Sequence, residues 1–316
     1  MYFSQYTDEE KKTVASQVKE HNIEYALKDY EKIKTAIKDL DNVKPLSPIG
    51  LTFIENFVQL ELLSTKSKQG ISFFDFWYNR SFYMSRDNAT KNLIHSIKKN
   101  KPYLTEIKIG KQVFNLYYGS IHIFRPINAL KVYKQFNPNT ILDFTMGWGG
   151  RLLAATLLHI PKYIGIDYNT KLMEPYEKMT DILKKDTKTK IELHFQNSLL
   201  FDYSKIEYDM VFTSPPFYNK EIYGEKETYK TKEEWDEQFY KPIFQKTWDH
   251  LKPGGTYCLN VPCDLYERIL LKMLGDAKET IELKKYSRIL PKREKTKQYN
   301  VGQKYKEYIY IWKKEL

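Results

Sequence analysis

A chain of 316 residues with 41% apolar and 29% charged residues is long enough for one large domain or two ordinary ones, and it can bury a core without disulfides or a metal. Lys and Arg outnumber Asp and Glu by 51 to 40, a formal charge of +11 that favours a polyanionic partner such as nucleic acid, and 26 Tyr with 17 Phe make the chain unusually aromatic. The opening MYFSQYTDEEKK has no apolar core and no run of 18 uncharged apolar residues occurs, so the sequence predicts a cytoplasmic protein that neither spans a membrane nor is exported.

Residues Asp8 to Val43 place Ile23, Ala26, Tyr30, Ile33 and Ile37 at three-to-four spacing, the signature of amphipathic helix. Phe53 to Leu63 reads as a second helix and Asn92 to Lys99 as a basic one, while the aromatic stretch after Gly70 fits no single pattern; its Phe73, Phe74, Phe76, Trp77, Tyr78, Phe82 and Tyr83 suit interior packing better than base stacking. From about Tyr103 the runs TEIKIG, QVFNLYYG and IHIF read as short strands. Helix and strand then alternate. Helices are expected over Ala129–Phe136, Gly150–Leu158, Lys171–Lys184 and Lys232–His250, and strands over Thr140–Asp143, Tyr163–Asp167, Ile191–Gln196, Tyr208–Thr213 and Gly255–Val261. Thr280–Lys285 and Tyr308–Trp312 suit an antiparallel pair at the sheet edge, joined by a basic loop whose run Pro291 to Lys297 is a candidate phosphate contact. A mostly helical region 1–112 and an α/β region 113–316 result. Cys258 and Cys263, at the last parallel strand and its exit, read as reduced thiols, and no metal site is expected from them.

Two segments carry chemistry. Ile141 to Arg151, ILDFTMGWGGR, is an apolar strand, a glycine-rich turn and a helix start, the way open α/β sheets build a cofactor site. A second strand ends at Asp167, about 18 residues past the turn, where a carboxylate can accept bonds from ribose hydroxyls. Alone, these features fit a nicotinamide nucleotide as well as S-adenosylmethionine. The turn lacks the third spaced glycine of GxGxxG, however, and Asp143 at the strand end would repel a pyrophosphate while welcoming a cationic sulfonium ligand. The second segment is Phe212 to Tyr218, FTSPPFY. Its two prolines form a rigid wall at a strand end, where Ser214 and the Pro215 carbonyl can accept bonds from a substrate amine and Phe217 or Tyr218 offers a flat face to a base.

DFTMGWGG followed by TSPPFY resembles the cofactor and catalytic motifs of the amino-group DNA methyltransferases, which act on cytosine N4 or adenine N6. A closer likeness is to DNA methylases of phages, bacteria and large DNA viruses that share a GWGGR turn and an SPPF segment running into EIY, here Ser214 to Tyr223. The likeness covers roughly residues 121–262. It implies a class I, Rossmann-like S-adenosylmethionine-dependent methyltransferase with a mostly helical N-terminal extension. By the same resemblance, Phe124, Arg125 and Pro126 pack on the cofactor's methionine end, Asp143, Gly147 and Gly149 form the cofactor turn, Asp167 holds the ribose, and Asn197 or Ser198 lies near the adenine. Ser214, Pro215, Pro216 and Phe217 become the catalytic set, with Tyr218 and Tyr223 touching substrate. Serine in the first catalytic position tilts the base toward cytosine N4. No recognition domain fits in the short stretch between the third strand end and the SPPF motif, and no large segment follows the core, so target recognition falls to the N-terminal region, to the loop Asn219–Glu234 or to the basic loop Arg288–Lys306. Rival readings are an RNA-base methyltransferase, a protein glutamine methyltransferase, whose motif characteristically starts with Asn, and a nucleic-acid-binding module without turnover.

Overall fold

The computed structural model describes residues 6–20, 22–67, 69–119, 121–218, 221–222, 229, 231–289 and 304–316, with 221–222, 284–289 and 304–306 described as backbone. Tyr223, most of the Asn219–Glu234 loop and the basic run Pro291 to Lys297 lie outside the described residues.

The N-terminal region is helical because side chains cap its helices in turn. Thr7 and Glu10 close a capping box on α1 (Asp8–Val18), and Asn22 accepts the amides of Glu24 and Tyr25 at the start of α2 (Ile23–Ala36). The helix α3 (Leu51–Ser64) begins at Gly50, which offers no side chain, and Asp29 of α2 supplies the missing acceptor to the amides of Thr52 and Phe53 at 2.9 and 3.2 Å. After the two-residue strand β1 (Lys66–Ser67), the aromatic stretch forms α4 (Phe73–Tyr78) and α5 (Arg80–Ser85), followed by α6 (Asn88–Asn100). The expected strands TEIKIG and QVFNLYYG are instead one helix, α7 (Glu106–Tyr117), and IHIF has no regular structure. The β-branched residues suggested strand, but Ile107, Gly110, Val113 and Phe114 recur at helical spacing and are buried on one face, so tertiary packing overrides propensity.

The remainder alternates: α8 (Pro126–Phe136), β2 (Thr140–Asp143), α9 (Gly150–Leu157), β3 (Lys162–Asp167), α10 (Met173–Leu183), β4 (Lys190–Phe195), β5 (Met210–Thr213), β6 (Glu221–Ile222), α11 (Lys232–Trp235), α12 (Lys241–Asp249), β7 (Thr256–Val261), α13 (Cys263–Leu265), α14 (Leu271–Leu274), β8 (Glu279–Ile289) and β9 (Lys304–Lys313). The helix expected over Lys232–His250 is interrupted by a π-helical turn at Asp236–Tyr240, and a second such turn occupies Tyr266–Leu270.

Seven strands form one sheet in the order β4-β3-β2-β5-β7-β9-β8, the first five parallel and β9 antiparallel to both its neighbours. This is the Rossmann-like, class I methyltransferase fold expected from the sequence, including the antiparallel pair at the edge. Successive residues feed opposite faces: Ile141, Met210, Phe212 and Cys258 join the helices α2, α3, α8, α9 and α10, while Leu142, Val211, Tyr257 and Leu259 pack with α12 and the turn at Tyr266–Leu270. A separate cluster of Val14, Leu63, Phe73, Phe76, Ile107, Val113 and Phe114 unites α1, α4 and α7. The strand order reverses between β2 and β5, so the crevice above the carboxyl ends of these strands is where the architecture places a ligand. No helix among the described residues is long and apolar enough to cross a membrane.

Candidate active site

Four strand ends meet at the crevice: Asp143 on β2, Asp167 on β3, Thr213 on β5 and Val261 on β7. Asp143 is fully buried and saturated within the protein. The guanidinium of Arg151 grips it through Nε at 2.7 Å and Nη2 at 3.0 Å, and the Tyr163 and Thr213 hydroxyls each donate to it at 2.7 Å. Because the Thr213 proton is committed to Asp143, Thr145 must donate to Thr213 across their 2.6 Å contact. Burial opposes the charge of Arg151, but the Asp143 carboxylate more than offsets this and holds the guanidinium firmly protonated. The expectation that Asp143 greets a cationic ligand is therefore corrected: its charge is neutralised by Arg151, and it ties β2, β3, β5 and α9 together beneath the turn.

Above this anchor the glycine turn is held from both sides. The Gly147 amide donates to Asp167 at 2.8 Å, and its carbonyl accepts the Tyr176 hydroxyl at 2.9 Å. Gly147 has φ +57°, and a side chain added there would meet no atom closer than the Thr145 carbonyl at 3.9 Å. The turn therefore presents bare backbone to open space. Gly149, at φ +94°, starts α9 with its Cα pressed on Met179. Gly150 is needed for a different reason: a Cβ there would lie 2.0 Å from the Phe124 carbonyl. That contact brings Phe124 against the turn, with its ring 5.3 Å from the Arg151 guanidinium and edge-on to Phe212. Pro126 opens α8, and the Arg125 side chain turns away to the Ser47 carbonyl at 3.1 Å.

Asp167 accepts a second amide, that of Asn169, at 2.9 Å. Burial pushes its carboxyl up, the two amides pull it down, and the result is about 6. Each of its oxygens keeps lone-pair capacity for a further donor. The Asn197 side-chain oxygen accepts the Leu199 amide at 3.0 Å, and Ser198 is buried with its carbonyl bound by Tyr203. Both sit just beyond β4, at the edge of the same crevice.

Beyond β5, Ser214 donates its hydroxyl to Asn260 Oδ1 at 3.0 Å, and Asn260 Nδ2 donates to the Tyr308 carbonyl at 3.0 Å. A carbonyl only accepts, so the Asn260 amide nitrogen must face Tyr308 and its oxygen must face Ser214. The Ser214 proton is thereby committed, and its oxygen is left only to accept. Tyr240, in the first π-helical turn, donates to the Pro216 carbonyl at 2.6 Å and fixes the second proline. Tyr218 meets the edge of Trp235 with ring centres 6.4 Å apart, and Phe217 and Tyr218 are both half-buried.

The structure thus gathers Ser214 to Tyr218, Gly147, Gly149, Asp167 and Phe124 around one crevice, with Asp143 beneath it, while Arg125 reaches away to Ser47 and Pro126 packs beside Gly50. Gly150, Arg151, Tyr163, Asn260 and Tyr240 are not among the residues expected as site residues from the sequence. Two of them carry a signal all the same: Asn260 is a lone amide in the apolar strand TYCLNV, and Gly150 opens a helix where glycine is otherwise costly.

No protein-family model matches the chain, and no curated protein matches it. Among solved structures, a methyltransferase from Pyrococcus furiosus is 16% identical with a TM-score of 0.40, over 65% of this chain and 94% of that one. The M. jannaschii tRNA m1G37 methyltransferase is 15% identical with a TM-score of 0.37, over 63% of this chain and 52% of its own, so this chain spans about half of its length. An S-adenosylmethionine-dependent O-methyltransferase from Thermotoga maritima is 14% identical with a TM-score of 0.36, over 65% and 70%.

Proposed function

We propose that this chain is an S-adenosylmethionine-dependent methyltransferase that modifies an exocyclic amino group of a base in DNA, with cytosine N4 favoured over adenine N6. The observation that carries the reading is the commitment of the Ser214 proton to Asn260, which leaves Ser214 able only to accept. An amine has hydrogens to give, and an acceptor fixed at the end of β5 beside a locked diproline suits it. The residues fit the cofactor: the bare backbone at Gly147 leaves room above the turn, and Asp167 has capacity for ribose hydroxyls.

When bound, S-adenosylmethionine supplies an electrophilic methyl on a positively charged sulfur. In this reading Ser214 Oγ and the Pro215 carbonyl each accept one N–H of the target amine, holding its lone pair in one direction, and Phe217 stacks on the base. An amine held in this way would need no strong general base from the chain, because its proton can pass to water once the nitrogen has become cationic. The base must be out of its stack, extruded from a duplex or unpaired.

The test offers methyl-labelled S-adenosylmethionine with duplex DNA, single-stranded DNA, RNA or a mixed protein extract, followed by digestion and nucleoside identification. Label in N4-methylcytosine or N6-methyladenine that disappears in Ser214→Ala and Phe217→Ala supports the reading. Label in RNA alone moves the same chemistry to an RNA base, label in protein alone favours glutamine, and cofactor binding without transfer leaves a binding module.

A further inference from the structure

The excess positive charge is not spread evenly. Residues 78–118 hold Arg80, Arg86 and six lysines against two acids, more than half of the chain's excess of +11. One of those acids, Asp87, is already engaged, bonded to Arg86 at 2.9 Å and to the Thr90 amide at 2.7 Å as the cap of α6. The helix α6 itself contains no acid. It buries Thr90 and Ile97 and exposes Lys91, His95, Lys98 and Lys99, a stripe at the spacing of one helix face.

Large rings are interleaved with these cations along the chain. Most of the aromatic stretch is interior, but Tyr78 is 44% exposed, Phe82 53% and Tyr103, between Lys101 and Lys108, 78%. Phe82 lies one turn before Arg86. Exposed rings alternating with cations are what a polynucleotide requires: the cations neutralise phosphates, and each ring offers a face to a base.

A short path joins this surface to the candidate active site. The Arg86 guanidinium lies 5.5 Å from the Tyr118 ring. The next residue, Gly119, packs so closely on Ser67 that an added Cβ would lie 2.8 Å from the serine Cβ. Ser67 in turn pairs with Glu221 in the β1–β6 ladder, four residues beyond Phe217.

We propose that the α5–α6 surface, together with Tyr103, binds an unpaired DNA strand and delivers it to the crevice at Ser214. The delivery and the choice of DNA over RNA rest on the amino-methylation reading above; the binding of an unpaired strand as such rests on the charge and the exposed rings. An unpaired strand is the occupant because a duplex hides the base faces that Tyr78, Phe82 and Tyr103 are placed to meet.

Binding of the full chain to a labelled single-stranded DNA oligonucleotide, followed by fluorescence anisotropy across a salt series, tests this, with melting curves to verify folding of the variants. All substituted positions are exposed. The triple variant Lys91→Gln, Lys98→Gln, Lys99→Gln is expected to flatten the slope of log affinity against log salt by about 2, each lost single-strand phosphate contact removing about 0.7. The double variant Phe82→Ser, Tyr103→Ser is expected to bind about tenfold more weakly with an unchanged slope. Unchanged binding in both folded variants overturns the proposal, as do duplex DNA binding more tightly than the single strand, RNA bound in place of DNA, or anionic lipid vesicles competing for the lysines. If the variants lose DNA binding while the wild-type chain transfers no methyl group, the surface stands and the methylation reading falls. Transfer by both variants at the wild-type rate, with binding intact, gives the reverse.

Discussion

The hydroxyl of Ser214 is donated to the side chain of Asn260, a residue 46 positions later on the neighbouring strand, and the geometry at Tyr308 leaves Asn260 only one orientation in which to receive it. A serine on its own is an ambiguous partner for an amine, since it can donate as well as accept. With its proton committed it behaves as an amide carbonyl would. Asn260→Ala is therefore expected to lower kcat about 10- to 100-fold with little change in the affinity for cofactor, because the orientation of the amine is lost and not the pocket. In a Ser214→Asn background the same change should cost much less, since an asparagine brings its own acceptor. Equal losses in the two backgrounds would show that Asn260 acts on folding and not on Ser214.

Asp143 and Arg151 form a buried pair with side-chain exposures of 0% and 4%. Removing one member of such a pair strands the other's charge, a loss of about 3–5 kcal/mol. Arg151→Met should thus destabilise the chain by that amount in urea unfolding. Tyr163→Phe, which deletes one of several bonds to the carboxylate, should cost only about 1–2 kcal/mol. The reverse ranking would mean that the hydrogen bond from Tyr163, and not the charge of Arg151, is what chiefly stabilises the buried carboxylate.

These two networks mark the boundary of what the sequence made legible. The strand Thr140–Asp143 and its neighbours were legible because short apolar runs ending in Asp, Gly or Thr at regular spacing have few other structures open to them. The edge hairpin was legible too, as was the helix opening at Gly150. The role of Asp143 was not, because its partners Tyr163 and Thr213 lie 20 and 70 residues away and meet it only once the strands are in register. An acid at a strand end reads as a ligand group until those partners are in place. The helix α7 was misread for a related reason: Ile107, Ile109 and Val113 have the composition of a strand, and the burial pattern that makes them helical depends on α1 and α4 packing against them.

Gly147 and Gly150 should respond oppositely to the same substitution. At Gly150 the added methyl collides with the Phe124 backbone, so Gly150→Ala must displace the Phe124 to Pro126 segment; a loss of several kcal/mol and of cofactor binding together is expected. At Gly147 there is open space, and only the left-handed backbone resists, at about 1 kcal/mol. Gly147→Ala should therefore fold normally yet bind cofactor poorly, the methyl standing where the ligand belongs. Unfolding midpoints and cofactor titration of the two variants separate the cases.

Lys111 offers a test of the N-terminal cluster. Its ammonium lies 5.0 Å from the Phe73 ring and 5.1 Å from that of Phe114, and burial, opposed by Glu55, pushes it down to about 8. Between that value and the ordinary range near about 10.4, the unfolded chain binds more protons than the folded one, so stability rises with pH across this window. Lys111→Met should flatten that rise and stabilise the chain by about 1–2 kcal/mol at neutral pH. A less stable Lys111→Met would mean that the two ring contacts outweigh the cost of burying the charge.

Asp167 predicts opposite pH trends for stability and for cofactor binding. Its carboxyl is raised to about 6 by burial, despite the amides of Asn169 and Gly147. The unfolded side chain ionises near about 3.9. From there to about 6 the folded state holds the proton that the unfolded state has released, so this group's contribution to stability is fully present below about 4 and is lost as pH rises through 6. A ribose hydroxyl, by contrast, donates best to the ionised carboxylate, so affinity for S-adenosylmethionine should strengthen as pH rises through about 6 and then level off. Asp167→Asn should remove this group's share of the stability change between about 4 and 6, flatten the rise in affinity through about 6, and weaken binding at neutral pH by about tenfold. Calorimetric titration over the same buffers as thermal unfolding measures the two together, and an affinity that stays flat through pH 6 in the wild-type chain would remove Asp167 from the cofactor site.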